Sequence, residues 1–156
     1  MAEDLSALRI VADYQFGAGA GRALFPSEEE LTVRRSTSGR PRQVHATGGR
    51  LVSYGIDGRF TLGVEGGRRL LSALDAPAYR VVVGDESEPF VREGKNVFAK
   101  FVTHVDPEIR SGDEVAVVHE NGDLLGVGRA ELAAEAMLDF EAGMAVKIRE
   151  GVTATE

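Results

Sequence analysis

Val97-Phe98-Ala99-Lys100-Phe101-Val102-Thr103-His104-Val105 decides how the second half of this chain folds. Its alternation predicts one strand. Val97, Ala99, Phe101, Thr103 and Val105 share one face; Phe98, Lys100, Val102 and His104 share the other. Asp106-Pro107 stops it, because proline cannot donate to a ladder. Upstream, Arg80-Val81-Val82-Val83 is a short β-branched strand closed by Gly84. Asp85 and Glu88 then have the spacing of a capping box for a short helix over about 86–93, which Gly94 can end in a left-handed conformation.

Downstream, Ser111-Gly112-Asp113 turns into a strand at Glu114–His119, and Asn121-Gly122 is a strong hairpin signal. The return strand, Leu124–Ala130, contains Gly126 and Gly128, which mark a bulge or a tight bend. Leu132, Ala133, Ala136, Met137 and Phe140 form a helical stripe in Glu131–Ala142, with Gly143 as its cap. Met144–Arg149 is the last strand. Short strands with two helices at their ends predict a small barrel.

The first half is predicted as a smaller α+β unit. Its elements are a helix over 5–16, a flexible loop at Gly17–Gly21, and a strand at Leu31–Arg35. A hairpin of Arg42–Ala46 with Leu51–Tyr54, a strand at Phe60–Leu62 and a helix at Glu65–Leu74 follow. A composition shift at Asp75-Ala76-Pro77-Ala78 separates the halves. The expected domains are 1–77 and 79–151, with a tail at 152–156.

The chain has 156 residues, is 43% hydrophobic and 28% charged, and holds no cysteine. Disulfides, cysteine nucleophiles and cysteine-based metal sites are therefore excluded. No apolar run approaches the roughly 20 residues of a membrane helix. The acidic start lacks the basic-then-apolar order of a secretory signal. A cytoplasmic protein is expected. Net charge is −7, and the bases are fifteen Arg against three Lys. That balance fits a salt-adapted protein, or a GC-rich genome that favours Arg codons. Residues 1–78 carry ten bases and nine acids; 79–156 carry eight and sixteen.

Phe90-Val91-Arg92-Glu93-Gly94-Lys95-Asn96-Val97-Phe98-Ala99-Lys100-Phe101-Val102 resembles the helix-to-strand segment of an archaeal PUA domain. Gly112-Asp113-Glu114-Val115, Gly126-Val127-Gly128-Arg129-Ala130 and Gly143-Met144-Ala145-Val146-Lys147-Ile148-Arg149 follow in that family's order. The resemblance implies an RNA-binding pseudobarrel over about 79–151. In the first half, Ala12-Asp13-Tyr14-Gln15-Phe16-Gly17, Ser38-Gly39-Arg40 and Asp57-Gly58-Arg59-Phe60-Thr61-Leu62 are similar to the small α+β domain before the PUA domain. That domain occurs in archaeal tRNA-guanine transglycosylases and archaeosine synthase, enzymes that make archaeosine in the tRNA D-arm. Those enzymes carry a catalytic barrel with zinc-binding cysteines, for which this chain has neither room nor cysteines.

The expected RNA contacts are Arg92, Gly94, Lys95, Asn96, Lys100, Lys147 and Arg149. The Gly94-Lys95-Asn96 corner combines close backbone approach, charge and hydrogen bonding; its plain alternative is a helix cap with an exposed lysine. Lys147 and Arg149 share a face of the last strand, where two cations along an edge can track a phosphate backbone or guard against strand pairing. Arg34, Arg35, Arg40 and Arg42 form a dense basic cluster around a Ser-Gly loop, an auxiliary RNA contact or a non-specific basic loop.

Gly17-Ala18-Gly19-Ala20-Gly21-Arg22 lacks the third glycine and the preceding strand of a dinucleotide fingerprint. His45, His104 and His119 have no ligand spacing, and no serine has a base beside it. No catalytic residue, metal or cofactor is expected. The reading is a non-catalytic binder of structured RNA, in particular folded tRNA. Its role is that of an accessory factor or detached subunit of a tRNA-modifying enzyme, with no membrane or DNA partner. A modification enzyme with an unseen site, or a protein-interaction scaffold, are the alternatives.

Overall fold

The structure is a computed structural model that describes residues 2–139 and 142–153. The chain divides into two compact units, Met1–Leu74 and Asp75–Glu156.

In the first unit, helix α1 (Ala2–Phe16) and helix α2 (Ala20–Leu24) precede four strands and a third helix. The strands β1 (Thr32–Arg35), β2 (Pro41–Ala46), β3 (Gly49–Tyr54) and β4 (Phe60–Leu62) form an antiparallel meander in that order. Helix α3 (Val64–Ala73) closes the unit. Leu8, Ala12 and Phe16, one stripe of α1, are buried with Leu24, Phe25, Val44, Val52, Phe60 and Leu62. Gln15 joins α1 to β4: its Nε2 donates to the Phe60 carbonyl at 2.8 Å and its Oε1 accepts the Phe60 N–H at 2.7 Å.

The Gly17–Gly21 run is not the expected flexible loop but a tight helix-to-helix corner. Asp13 Oδ1 accepts the Gly21 N–H at 2.7 Å, and a Cβ at Gly21 would stand 2.3 Å from the Arg9 carbonyl oxygen. Only glycine lets α2 approach α1 this closely.

The second unit is a rolled six-stranded sheet in the order β6-β10-β9-β8-β5-β7. The strands are β5 (Arg80–Val83), β6 (Val97–Phe98), β7 (Val102–Val105), β8 (Glu114–His119), β9 (Leu124–Ala130) and β10 (Met144–Gly151). Helices α4 (Glu88–Arg92) and α5 (Ala134–Asp139) lie between strands in sequence. Strand β5 runs parallel to β8; the other pairs are antiparallel. The core holds Val81, Val83, Val91, Val97, Val115, Val117, Leu125, Met137 and Val146.

The expected continuous strand 97–105 is broken by a 3₁₀ turn at Ala99–Phe101. Its first piece pairs with β10 and its second with β5, so one segment supplies both margins of the sheet and closes the barrel. The break also shifts the alternation. Val102 and Val105 pack on the core, whereas Thr103 is exposed. Ala99 makes the turn possible, since its small buried side chain lets its N–H reach the Gly143 carbonyl at 2.9 Å.

Helix α5 starts three residues later than expected. The N–H groups of Glu131 and Ala134 go to the Ala145 and Ile109 carbonyls, which commits the intervening backbone to the barrel rather than to a first helical turn. Phe140 and Glu141 of the predicted stripe and helix lie outside the described residues. Strand β10 is flanked by β6 and β9, so it is an interior strand and not the edge that was expected.

Gly128 is where β9 and β10 press closest: a Cβ there would lie 2.1 Å from the Lys147 carbonyl oxygen. Gly128→Ala is expected to destabilise the unit by about 2–3 kcal/mol, the cost of overpacking against rigid backbone. Urea unfolding of the two proteins checks this; an unchanged midpoint would show that the strands can part without penalty.

Candidate nucleic-acid interface

Helix α4 ends in a left-handed glycine. Gly94 has φ +91°, and the N–H groups of Gly94 and Lys95 return to the Val91 and Phe90 carbonyls at 2.9 Å each. This is a Schellman cap, so those two amides serve the helix and do not face a ligand. Asn96 follows, and its Oδ1 accepts the Ile148 N–H at 2.9 Å, beside the irregularity in β10. That bond fixes which way the amide points.

Between α4 and the β6–3₁₀ segment lies a cleft of about 350 Å³. Phe90, Phe98 and Phe101 contribute its rings, and Glu86, Lys95 and Asn96 its polar groups. Phe90 and Phe98 are 55% and 48% exposed, an unusual amount for two phenylalanines on one small unit. The buried side chains of Val91 and Val97 anchor the walls from behind. Lys100 places its Nζ 5.1 Å from the Phe101 ring centroid, a cation–π distance. A flat aromatic ligand fits such a cleft, with a cation at its mouth.

The other expected contacts stand differently. Arg92 is turned back on the chain: its Nε donates to Glu88 Oε2 at 3.0 Å and its Nη1 to the Val152 carbonyl at 3.2 Å. Arg149 forms a two-pronged pair with Glu114, both contacts 2.7 Å, and the Glu114 side chain is only 5% exposed. Lys147 is exposed on β10, in register with Arg129 on β9. Of the cations expected here, Lys95 lines the cleft and Lys100 lies over the ring of Phe101, while Arg92 and Arg149 are held in ion pairs.

The sequence cluster in the first unit is also divided. Register pairs Arg34 with Gln43, so Arg34 and Arg42 project from opposite faces of the β1–β2 hairpin. Arg40 lies over the Tyr54 ring, and Arg35 Nη1 donates to the Gly39 carbonyl at 2.9 Å. His45 hydrogen-bonds Gln43 at 2.9 Å; burial, then Arg34 and Arg50, hold its imidazole below the usual range.

One constellation had no signal in the sequence. His119 and Asp85 are 34 residues apart, yet His119 Nε2 and Asp85 Oδ1 are 2.6 Å apart, with Glu88 close by. The expected capping box therefore does not form: Asp85 turns to His119, and Ser87 is the cap residue. The three groups bring ligand atoms within 4.8 Å of one another. In the neutral ring, however, Nδ1 accepts the Asn121 N–H at 3.0 Å, which leaves the ring proton on Nε2, directed at Asp85. A metal on Nε2 would need that proton moved to Nδ1, against the Asn121 N–H, so the arrangement suits a hydrogen bond from Nε2–H to Asp85 better.

Residues 79–152 match the family model of the PUA domain, and residues 6–77 match that of the patch-forming domain C2 of tRNA-guanine transglycosylase. The chain thus carries a match to each of these two domain models in succession, which together span residues 6–152. It is 50% identical over 143 residues to the tRNA-guanine(15) transglycosylase of Pyrococcus furiosus, which covers 91% of this chain and 24% of that protein. With the enzyme of the same name from Methanothermobacter thermautotrophicus it shares 47% identity, over 96% of this chain and 23% of the relative. The chain thus spans about a quarter of the length of these relatives. Among solved structures, a conserved PUA domain protein from Thermoplasma acidophilum has the same fold, with a TM-score of 0.67 at 22% identity over 94% of this chain and 89% of that one. A hypothetical protein from Pyrococcus horikoshii gives 0.70 at 22% identity, over 97% and 91%.

Two outcomes follow. Arg149→Ala strands the buried Glu114 carboxylate and is expected to destabilise the protein by about 2–4 kcal/mol, against less than about 0.5 kcal/mol for exposed Lys147→Ala. Denaturant unfolding separates them, and equal small effects would contradict the structural role given to Arg149. The Asp85 hydrogen bond, partly offset by burial, raises the His119 pKa above its usual 6.5. The stabilisation is then complete below about 6.5 and is lost as pH rises through the raised folded-state value. Asp85→Asn should therefore cost more stability near pH 6 than near pH 9, and a pH-independent cost measured by thermal unfolding would refute the coupling.

Proposed function

We propose that this protein is a non-catalytic, cytoplasmic RNA-binding protein that holds folded tRNA as an accessory factor or detached subunit in tRNA modification of the archaeosine type. The observation that carries this reading is the aromatic cleft between α4 and β6, in a unit of the PUA family. Three rings accept an unstacked base, Lys95 meets its phosphate, and the amide nitrogen of Asn96 is left to donate to a base edge. Likeness to tRNA-guanine(15) transglycosylases over more than nine-tenths of the chain supports tRNA as the RNA and modification as the context.

Lys100 and Lys147 supply further positive charge to the second unit, and the arginines of the β1–β2 hairpin act as an auxiliary contact in the first. Among the described residues no helix is long and apolar enough to cross a membrane. With a net charge of −7, long-range attraction contributes little, and affinity rests on close contact.

Titration of the full chain with a tRNA transcript tests this. Phe90→Ala is expected to weaken binding by about tenfold, the usual worth of a stacked base, and Lys95→Ala by a few-fold with a shallower salt dependence of about one unit in slope. Failure of the unmodified protein to retain tRNA, or full binding by the Phe90→Ala, Lys95→Ala double variant, would reject the proposed site.

A further inference from the structure

Val44, Val52 and Leu62 of the β1–β4 meander turn into the core of the first unit. Their neighbours in sequence therefore turn away from it. Register gathers those neighbours on one face: Arg34 lies opposite Gln43, Gln43 opposite Ser53, and His45 opposite Arg50, with a threonine at either margin. This face is wholly polar. It holds two guanidinium groups and an imidazole but no carboxylate, in a chain with 25 acidic residues.

His45 is the centre of the face, with Arg34 on the strand to one side and Arg50 on the strand to the other. Arg50 is fixed in place: its Nη1 donates to Ser53 Oγ at 2.9 Å and its Nη2 to the Leu62 carbonyl at 3.4 Å. Arg34 is exposed and has neither hydrogen bond nor ion pair among the described residues. His45 Nε2 stands 2.9 Å from Gln43 Oε1; with the amide oxygen accepting, Nε2 carries the ring proton and Nδ1 is the atom that can take another. The acid beside the β2–β3 turn is Glu65 of α3, 3.3 Å from where a Gly48 Cβ would stand, and it is engaged by Arg68 and Arg69 at 3.5 and 3.7 Å.

Burial first, and then the two guanidinium charges, disfavour the imidazolium in the free protein. An anion seated beside the ring offsets those charges and favours it. Guanidinium and imidazolium N–H groups are the donors that phosphate oxygens accept from most strongly. The contact is local, so the net charge of −7 does not oppose it.

We propose that this sheet face is a proton-linked phosphate site, where a phosphodiester of bound RNA lies against Arg34 and His45, with Arg50 behind them, and His45 takes a proton from solvent as the RNA binds. The proposal rests on the RNA-binding reading above. It narrows the auxiliary contact to the side of the hairpin that carries Arg34, and it adds His45 and Arg50.

The full chain is titrated with a tRNA transcript at about pH 5.5 and about pH 8 at constant ionic strength, a range that spans the ordinary histidine midpoint. Proton NMR follows the His45 ring, assigned with His45→Gln. Binding is expected to be about fivefold tighter at the lower pH, and the His45 midpoint to rise by about one pH unit when the transcript is bound. His45→Gln should remove this dependence and leave binding near pH 8 unchanged, which separates it from the titration of His119 in the second unit. Arg34→Ala should weaken binding a few-fold and make its salt dependence shallower by about one unit in slope. Thermal unfolding of Arg34→Ala should be unchanged, because the side chain is exposed and unpaired. If saturating transcript leaves the His45 midpoint where it was, or Arg34→Ala binds like the unmodified protein, this proposal fails; the cleft still stands if Phe90→Ala weakens binding. If the unmodified protein does not bind the transcript, both fail.

Discussion

The second unit depends on a broken strand. A single extended run over 97–105 would lie along one neighbour and leave the sheet open. The 3₁₀ turn at Ala99–Phe101 sends β6 to β10 and β7 to β5, and so joins the two margins of the sheet through three residues. The same turn sets Phe98 and Phe101 on one side of the cleft, opposite Phe90 on α4. Closure of the barrel and construction of the candidate site are thus one event. Gly94, with its reversed backbone, provides the other half by turning the chain from α4 into β6 within a few residues.

Charge in this unit is used mainly for architecture. Arg149 serves Glu114 in a nearly buried pair, and Arg92 ties Glu88 to the backbone at Val152. Neither guanidinium is spare. What the cleft offers a ligand is chiefly aromatic surface, with Lys95 in its lining. That division suits an acidic protein, because stacking needs no favourable net charge and survives screening.

Much of the fold was legible in the residues. Asn121-Gly122, the β-branched run at Arg80–Val83 and the Leu8, Ala12, Phe16 stripe behaved as local rules require, and the β8–β9 hairpin formed where it was expected. The interruption at Ala99–Phe101 was not legible, because alternation continues across it in the sequence; only the demand for two different partner strands breaks it. The glycines at 17–21 read as flexibility, yet Gly21 packs against the Arg9 backbone, a contact that exists only in three dimensions. Lys95 and Asn96 stand out in the sequence through the corner they occupy, and both line the cleft. Phe90 and Phe98 carry no such signal, since periodicity does not tell a core phenylalanine from one left half in solvent. The His119–Asp85 pair and the fate of Arg149 were invisible because their partners are 34 and 35 residues away.

Strand β6 contributes two residues to the wall, the shortest strand in the unit. A ligand held between Phe90 and Phe98 would span the seam that this strand closes. Occupancy and seam integrity then share one free energy: whatever opens the seam releases the ligand, and whatever fills the cleft clasps the barrel shut. With a ligand in place the unit would work as a hasp, whose pin is the bound molecule itself.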